Sequence, residues 1–349
     1  MERYERRISA DMQAIEEQVE WIADAVRNAV LRAVEALEKD DKDALYQVVL
    51  GDLPINRRVR ETDAMCHAFV ARHLPAAGPL REVSSVLRLN IALERIGDYA
   101  VTIGRIGVKL EHPPAPALLA EIRQMGDLSV GMLEKATRAF LTKDVALAED
   151  TKARAQRVDE LHYMVFQRLV GGEATQGLPA LVSELNIVRQ LERVSDQSKN
   201  ICEEAIFAAS GQTKPPKVYK VLFVDQTNAL WSQLARALAA KAFPNSGRFF
   251  SAGTAPASHI DPVLTELAGE LSLDLSGVRT QRLAPLKLSP AEYHVIVALG
   301  DVPDLPEIPF KTVLLRWAAP TEASASEAAR ELGAAVRDLM EALRGEDAS

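Results

Sequence analysis

The chain has 349 residues, 48% of them hydrophobic, and a formal net charge of −8. That length is enough for two domains of ordinary size with substantial cores. The basic residues are dispersed, which argues against nucleic acid as a partner because a basic face normally supplies that affinity. The first residues lack the apolar core of a signal peptide, and no apolar run approaches the ~18–20 residues of a membrane span.

The cysteines and the absence of a span together indicate a cellular setting. The two cysteines, Cys66 and Cys202, fit neither a zinc site nor a disulfide framework. We therefore expect a reducing, cytoplasmic location, with any contact to a membrane made indirectly through a partner or a surface helix.

The first 209 residues are predicted to be almost wholly helical, because apolar residues recur at intervals of three and four in segments rich in Ala, Leu and Glu. Clusters of Gly and Pro predict breaks at Gly51–Pro54, His73–Pro79, His112–Pro116 and Gly171–Pro179. The helices predicted between them are Ile15–Leu37, Ile55–Arg72, Leu80–Leu110, Ala117–Thr142, Val145–Val170 and Leu181–Ala209. This part of the chain is expected to form a helical bundle.

The pattern changes after residues 210–217 (SGQTKPPK), which are predicted to be a linker because Gly and a Pro pair cannot continue a helix. Strands are predicted at Tyr219–Val224, Arg248–Ala252, His294–Leu299 and Lys311–Arg316. Helices are predicted at Ser232–Ala242, Pro262–Leu271 and Ser324–Leu343. Alternation of strands and helices predicts a mostly parallel sheet covered on both faces, so residues 218–345 are expected to form a small α/β domain.

The helical half contains an internal duplication. LERIGD at Leu93–Asp98 returns as LERVSD at Leu191–Asp196, and the flanking residues agree in type. Each half, residues 1–110 and 111–209, is therefore predicted to be a three-helix unit, giving a duplicated three-helix bundle.

Each repeat carries a pair of acids with a spacing of four. Glu94 and Asp98 share one helix face, as do Glu192 and Asp196. Like charges repel at this spacing, so a bound cation is one candidate for compensation, and carboxylates suit Mg²⁺, Mn²⁺, Fe or Zn²⁺. Asn200 would add a carbonyl oxygen on the same face in the second repeat. The alternative is a solvated helix face whose charge is balanced by neighbouring Arg and Lys residues.

The duplicated three-helix unit ending in LERIGD and LERVSD resembles the PhoU family, cytoplasmic regulators of bacterial phosphate uptake and phosphate signalling. Members of that family hold iron, zinc or other metal ions on such acidic motifs. The resemblance implies metal ligands at Glu94, Asp98, Glu192, Asp196 and Asn200. It also implies the phosphate transporter's ATPase and a membrane sensor histidine kinase as partners, at the inner membrane, and self-association of unspecified stoichiometry.

Further acids in earlier helices belong to the same family pattern, which this sequence follows incompletely. Asp52 and Asn56 match it in the first repeat and Asp159 in the second. Thr102 stands where the first repeat would need an equivalent of Asn200, and Ala155 replaces the acid expected four residues before Asp159.

The second half resembles the low-molecular-weight tyrosine phosphatase and arsenate reductase family over residues 217–344, through KVLFVDQTNALWSQLARALAAKAFP, FFSAGTAP and LAGELSLDLSGVRTQRL. Active members carry the phosphate-binding loop C-x-x-x-x-x-R-S. On that frame Asp225 stands in place of the nucleophilic Cys, and Trp231 in place of the Arg that clamps phosphate. Asn228 and Ser232 are retained, whereas Ala319, in WAAP at 317–320, replaces the general acid Asp.

These replacements define a degenerate anion loop. Asp225 is expected to act as a built-in substitute for the phosphate anion, stabilised by amides at a helix N-terminus, and Trp231 is expected to pack in the core. Phosphorylation of Asp225 itself is the alternative.

Three functional hypotheses follow from the sequence. The first is a non-enzymatic, metal-binding regulator of phosphate uptake and signalling, whose catalytically dead phosphatase-like domain serves as an interaction or sensing module. The second is a phosphatase or arsenate reductase-like enzyme with a non-cysteine mechanism. The third is a structural scaffold whose acidic pairs bind nothing.

Overall fold

A computed structural model describes residues 2–173, 177–214, 216–286, 292–309, 311–319 and 324–345. The chain divides into two units, Met1–Lys214 and Pro215–Ser349. Within the ranges described, the first unit is helical and the second combines four strands with helices.

The first unit is the predicted helical bundle. Its helices are α1 (Glu2–Glu38), α2 (Lys42–His73), α3 (Ala77–Lys109), α4 (Pro116–Thr142), α5 (Val145–Ala153), α6 (Ala155–Arg168) and α7 (Leu178–Ser210), with a π-helical turn at Leu169–Glu173. Helix α3 packs against α2 and α7, and α4 packs against α7. Among the described residues, no helix combines the length and the apolar character needed to cross a membrane.

The core of this unit passes through the two repeated motifs. Leu93 and Ile96 of α3 are completely buried, as are Leu191 and Val194 of α7. The apolar side chains of LERIGD and LERVSD therefore lie in the core, where α3 packs against α7. Their charged side chains lie on the more exposed faces of the two helices.

The break predicted at Gly51–Pro54 is wrong, because α2 runs through it without interruption. Gly51 and Pro54 are exposed, so the proline ring faces solvent and disturbs no packing. Buried residues on both sides, including Val48 and Ile55, hold the two turns against the bundle. Tertiary packing thus outweighs the local cost of proline, about 3 kcal/mol in a helix interior.

The single helix predicted at Val145–Val170 is also wrong, since it is divided at Arg154 into α5 and α6. The Arg154 N–H donates to the Thr151 carbonyl at 3.1 Å, a tighter turn than the α-helical one. This turn lets Thr151 of α5 and Val158 of α6 both be buried. The predicted break at Gly171–Pro179 lies partly outside the described residues, which resume at Gly177.

The second unit is built on a four-stranded parallel sheet. Its strands are β1 (Tyr219–Asp225), β2 (Gly247–Gly253), β3 (Val295–Leu299) and β4 (Val313–Trp317), in the order β2-β1-β3-β4. Its helices are α8 (Trp231–Ala242), α9 (Pro262–Leu271) and α10 (Ala325–Arg344).

Both faces of this sheet are covered, as buried parallel strands require. Phe223 faces a cluster that includes residues of all three helices, and Leu222 faces a second cluster. The predicted fold class, an all-α bundle followed by a small α/β domain with a parallel sheet, is confirmed. The carboxyl end of β1 lies where the strand order reverses, the usual place for a ligand in such sheets.

The continuous α2 generates a stability prediction. We expect Pro54→Ala to raise the free energy of unfolding of the first unit by roughly 1–3 kcal/mol. Proline has no backbone N–H, whereas alanine at this position can donate one to the carbonyl oxygen of Leu50, one helical turn earlier. Pro116→Ala is the matched control, since Pro116 begins α4, where no intrahelical bond is lost, and a change within about 1 kcal/mol is expected. Urea unfolding followed by circular dichroism measures both. A loss of stability in Pro54→Ala would contradict a continuous helix.

Candidate functional site

The loop between β1 and α8 closes around its own carboxylate. Asp225, the last residue of β1, is only 7% exposed. One of its carboxylate oxygens accepts the N–H of Asn228, and the other accepts the N–H of Ser232 at 2.8 Å. The negative charge therefore lies among the amides that lead into helix α8.

Asn228 gives the loop its shape. Its φ of 52° lies in the left-handed region, which Asn tolerates better than most residues. Its amide nitrogen donates to the Ser232 hydroxyl at 2.9 Å, and its amide oxygen accepts the Gln281 N–H at 2.8 Å. The two residues retained from the active loop thus hold the turn together.

Gly253, at the end of β2, allows the loop to lie against the neighbouring strand. A Cβ atom at this position would be 2.8 Å from the Gln226 carbonyl oxygen and 2.9 Å from the Asn228 nitrogen. The loop carbonyls of Gln226 and Thr227 accept N–H groups from Ala255 and Ala257. Only a glycine permits this backbone approach.

Gln233 is a member of the site that the sequence interpretation missed. Its amide nitrogen contacts the Asn228 side chain at 3.0 Å and the Arg279 carbonyl at 2.9 Å, and its amide oxygen accepts the Ser251 hydroxyl at 3.0 Å. The sequence did contain one indication of this role: Gln233 is polar, but it occupies a position of α8 where the helical periodicity predicts a buried, apolar residue.

Two other positions that the sequence analysis singled out, Trp231 and Ala319, carry no ionisable side chain. Trp231 is half-buried and packs against the apolar cluster beneath the helices. Ala319 offers no acid, and Pro320 of the WAAP stretch lies outside the described residues. Burial raises the pKa of both thiols, Cys66 and Cys202, to about 12, so neither is a reactive thiolate at neutral pH.

In the first unit, the acidic motif of the first repeat lies near a half-buried polar pair on α2, Asp52 and Asn56. Asp52 accepts a hydrogen bond from the Asn56 amide at 2.5 Å. The other carboxylate oxygen of Asp52 and the amide oxygen of Asn56 are buried, with no hydrogen-bond partner among the described residues. Burial, and after it the charge of Asp98, raises the pKa of Asp52 above its ordinary value. A cation here would supply the missing partner for both oxygens.

The two acids of the first-repeat motif itself are accessible to solvent. Glu94 and Asp98 are both exposed on α3. Gly97 lies between them and lets α2 come close, since a Cβ atom there would be 3.1 Å from Asp52 Oδ1. The Thr102 hydroxyl donates to the Asp98 carbonyl at 2.9 Å, so it serves its own helix.

The second repeat differs from the first. Asp196 has a cation beside it, with Lys199 Nζ at 3.7 Å, and the Asn200 amide donates to Gln197 at 3.3 Å. Glu192 is half-buried and already interacts with other groups. Within the described ranges, no three His, Cys, Asp or Glu side chains converge closely enough to hold a metal ion. The ligand set inferred from the resemblance therefore stays a prediction.

Comparison with known proteins agrees with the duplicated bundle. A model of the PhoU domain matches residues 19–107 and 122–205, one copy in each repeat. The PhoU homolog of Pseudomonas putida, a phosphate-specific transport system accessory protein, is 30% identical over 209 residues, which are 59% of this chain and 82% of that protein. The crystal structure of PhoU from Pseudomonas aeruginosa, 29% identical, superposes with a TM-score of 0.56 over 58% of this chain and 99% of that one.

Two PhoU domains in tandem, folded as two packed helical repeats, define the class of the first unit. The chain belongs to the PhoU family, and the resemblance inferred from LERIGD and LERVSD is confirmed. For the second unit, an arsenate reductase from Archaeoglobus fulgidus aligns at 23% identity over 34% of this chain and 98% of that one, with a TM-score of 0.29.

The geometry of the loop predicts how it responds to loss of its carboxylate. Asp225→Ala leaves two N–H groups without an acceptor, so we expect the free energy of unfolding of the second unit to fall by about 1–3 kcal/mol. Added phosphate or sulfate should restore part of this loss, so that it stabilises the variant more than the wild type, as thermal unfolding at graded anion concentrations would show.

Asp261→Ala is the matched control for this prediction. Asp261 caps α9 by accepting the Val263 N–H at 2.9 Å, so its loss should cost about 0.5–2 kcal/mol. That loss should not be restored by anions. An anion effect on Asp225→Ala no larger than that on Asp261→Ala or on the wild type would contradict an internally satisfied loop.

Proposed function

We propose that the chain is a non-enzymatic regulator of phosphate uptake and of phosphate-responsive signalling. Membership of the PhoU family supports this role, and its named relatives are accessory proteins of phosphate-specific transport systems. The helical unit would act through protein partners, for which the family resemblance suggests the phosphate transporter's ATPase and a sensor histidine kinase. A cytoplasmic location, at the inner membrane only through these partners, and self-association belong to the same proposal.

The second unit is proposed to be a catalytically dead phosphatase-like domain that serves in interaction or sensing. The observation that supports it best is the Asp225 carboxylate, whose two oxygens both accept loop amides. An attacking carboxylate needs a free oxygen beside a bound phosphate, but these amides are the groups that would bind that phosphate. The negative charge would also repel the substrate.

The alternative, a phosphatase or arsenate reductase with a non-cysteine mechanism, has less support. The loop has Trp231 in the place of the phosphate-clamping arginine, and Ala319 offers no proton to a leaving group. Among the described residues, the Asp225 carboxylate accepts hydrogen bonds from the backbone amides of Asn228 and Ser232, and neither group replaces the lost arginine or the lost acid. We therefore favour binding over catalysis.

Metal binding is proposed for the acidic face of the first repeat, with Glu94, Asp98, Asp52 and Asn56 as the candidate ligands. The two unpartnered buried oxygens on α2 and the raised pKa of Asp52 support a positive charge at this place. Carboxylate and amide oxygens accommodate Mg²⁺ or Mn²⁺, and also Fe or Zn²⁺. A metal ion there would neutralise the acidic face, and a side chain of a partner protein could then coordinate the same ion.

The second set, Glu192, Asp196 and Asn200, is proposed as a weaker site. Lys199 already neutralises part of the charge of Asp196, and Asn200 is engaged with Gln197. A cation would have to displace both interactions before it could bind.

Metal analysis of the full chain, purified without chelators, tests these assignments. We expect the double variant Asp52→Asn/Asp98→Asn to lose most of the bound metal, because it removes two charges from the first-repeat face. Asp196→Asn should lose much less. Asp127→Asn is a control, since this exposed residue pairs with Arg123 and lies outside both motifs. Metal content that is unchanged when Glu94, Asp98, Glu192 and Asp196 are all replaced by alanine would exclude the ligand set and favour the scaffold hypothesis.

The regulatory role is tested in the organism that encodes the chain. Deletion of its gene should alter phosphate uptake and phosphate-responsive transcription, and both should return with the wild-type chain. Restoration should fail with Glu94→Ala/Asp98→Ala if that variant is folded and present at the same level. A deletion strain with normal uptake and a normal transcriptional response to phosphate would refute the proposed function.

A further inference from the structure

The second unit contains a pocket that the degenerate loop does not explain. Its volume is about 340 Å³, and it lies beside β2, which is the edge strand of the sheet, and beneath the segment 276–286. Pockets that hold small molecules in proteins commonly have volumes of about 300–1,000 Å³. Gln233 and Ser251 line it and hydrogen-bond to each other, so it borders the loop network without including Asp225.

Arg236 is the residue in this pocket whose hydrogen bonding is incomplete. It is half-buried on α8, and its Nη2 atom is buried with no hydrogen-bond partner in the described parts of the chain. Burial lowers the pKa of Arg236, although the charge of Asp274 opposes the shift. A guanidinium nitrogen without an acceptor is costly in a protein interior, and its best partner is an oxyanion.

The charge of the lining indicates a ligand with more than one negative charge. Three arginines line the pocket, Arg236, Arg279 and Arg282, against one acid, Glu292. Arg282 is held in place by a hydrogen bond from its Nη1 to the Thr254 carbonyl at 2.9 Å. A carboxylate would leave this excess positive charge partly uncompensated, whereas a phosphate monoester would match it.

Aromatic side chains line part of this otherwise largely polar pocket. Phe249, Phe250 and Tyr293 contribute to this part, and the rings of Phe250 and Tyr293 meet edge to face with centroids 5.4 Å apart. Phe250 is 38% exposed, so part of its ring is accessible to solvent. Such a wall suits a flat apolar group next to the anion.

We propose that this pocket binds an organic phosphate monoester, with its phosphate at the Arg236 guanidinium and its apolar part against Phe250 and Tyr293. The inference rests on the proposal that the second unit binds rather than reacts. The site differs from the Asp225 loop, because that loop already contains its anion. The second unit would thus recognise a phosphorylated small molecule, while its former catalytic loop serves only as structure.

Isothermal titration of the full-length chain with phenylphosphonate tests the proposal, because this aryl phosphate analogue cannot be hydrolysed. We expect binding to wild type, and binding at least about tenfold weaker to Arg236→Met, which removes the charge and keeps most of the length. Arg337→Ala is the matched control, since Arg337 is exposed on α10 away from the pocket, and it should bind like wild type. Inorganic phosphate and benzoate, each holding only one part of the proposed ligand, should both bind more weakly.

Thermal unfolding shows whether Arg236→Met is folded, because a misfolded variant would also lose phenylphosphonate binding. Without ligand, Arg236→Met should unfold at the wild-type temperature or above it, because the variant loses an unpaired buried charge. Phenylphosphonate should raise the unfolding temperature of the wild type but not of this variant. The absence of phenylphosphonate binding, equal binding by Arg236→Met, or tighter binding of phosphate or benzoate would overturn the inference. Because the titration measures binding alone, its failure would leave the regulatory role to be decided by the deletion strain.

Discussion

The second unit depends on one interaction, the pair of hydrogen bonds from the Asn228 and Ser232 amides to the Asp225 carboxylate. A loop that converges N–H groups on a single point needs an anion there, and the Asp225 carboxylate is that anion. A resident carboxylate satisfies these donors permanently. Charge-assisted bonds of this kind contribute about 1.5–3 kcal/mol each, so the loop holds its shape without a ligand. The same two N–H groups are therefore not available to a second anion.

The helical unit shows how one repeated motif acquires two environments. In the first repeat, Gly97 lets α2 approach, and Asp52 is half-buried near the charge of Asp98. In the second, Lys199 of the same helix lies beside Asp196 and neutralises part of its charge. Identical spacing of acids along a helix therefore does not imply equal affinity for a cation, because the neighbouring residues decide how much charge remains unpaired.

Local patterns were sufficient to predict the fold class, the duplication and most elements, because hydrophobic periodicity reports which face each segment buries. They failed where tertiary packing decides. Pro54 suggested a break in α2, but buried residues on both sides keep the helix continuous. The turn at Arg154 contains no Gly or Pro, so the sequence gives no local signal for it. The contacts of Asn228 and Gln233 with Arg279 and Gln281 join residues far apart in sequence, so no local pattern contains them. The incomplete bonding of Arg236 is likewise visible only in three dimensions.

The second unit is proposed to keep the frame of a phosphate-binding loop without its chemistry. Turnover of an aryl phosphate, and of arsenate with thiols, by the purified full-length chain and by Asp225→Asn tests this proposal. We expect no turnover above the buffer rate for either protein. Turnover by the wild type that Asp225→Asn abolishes, with the variant still folded, would make Asp225 a nucleophile and contradict it.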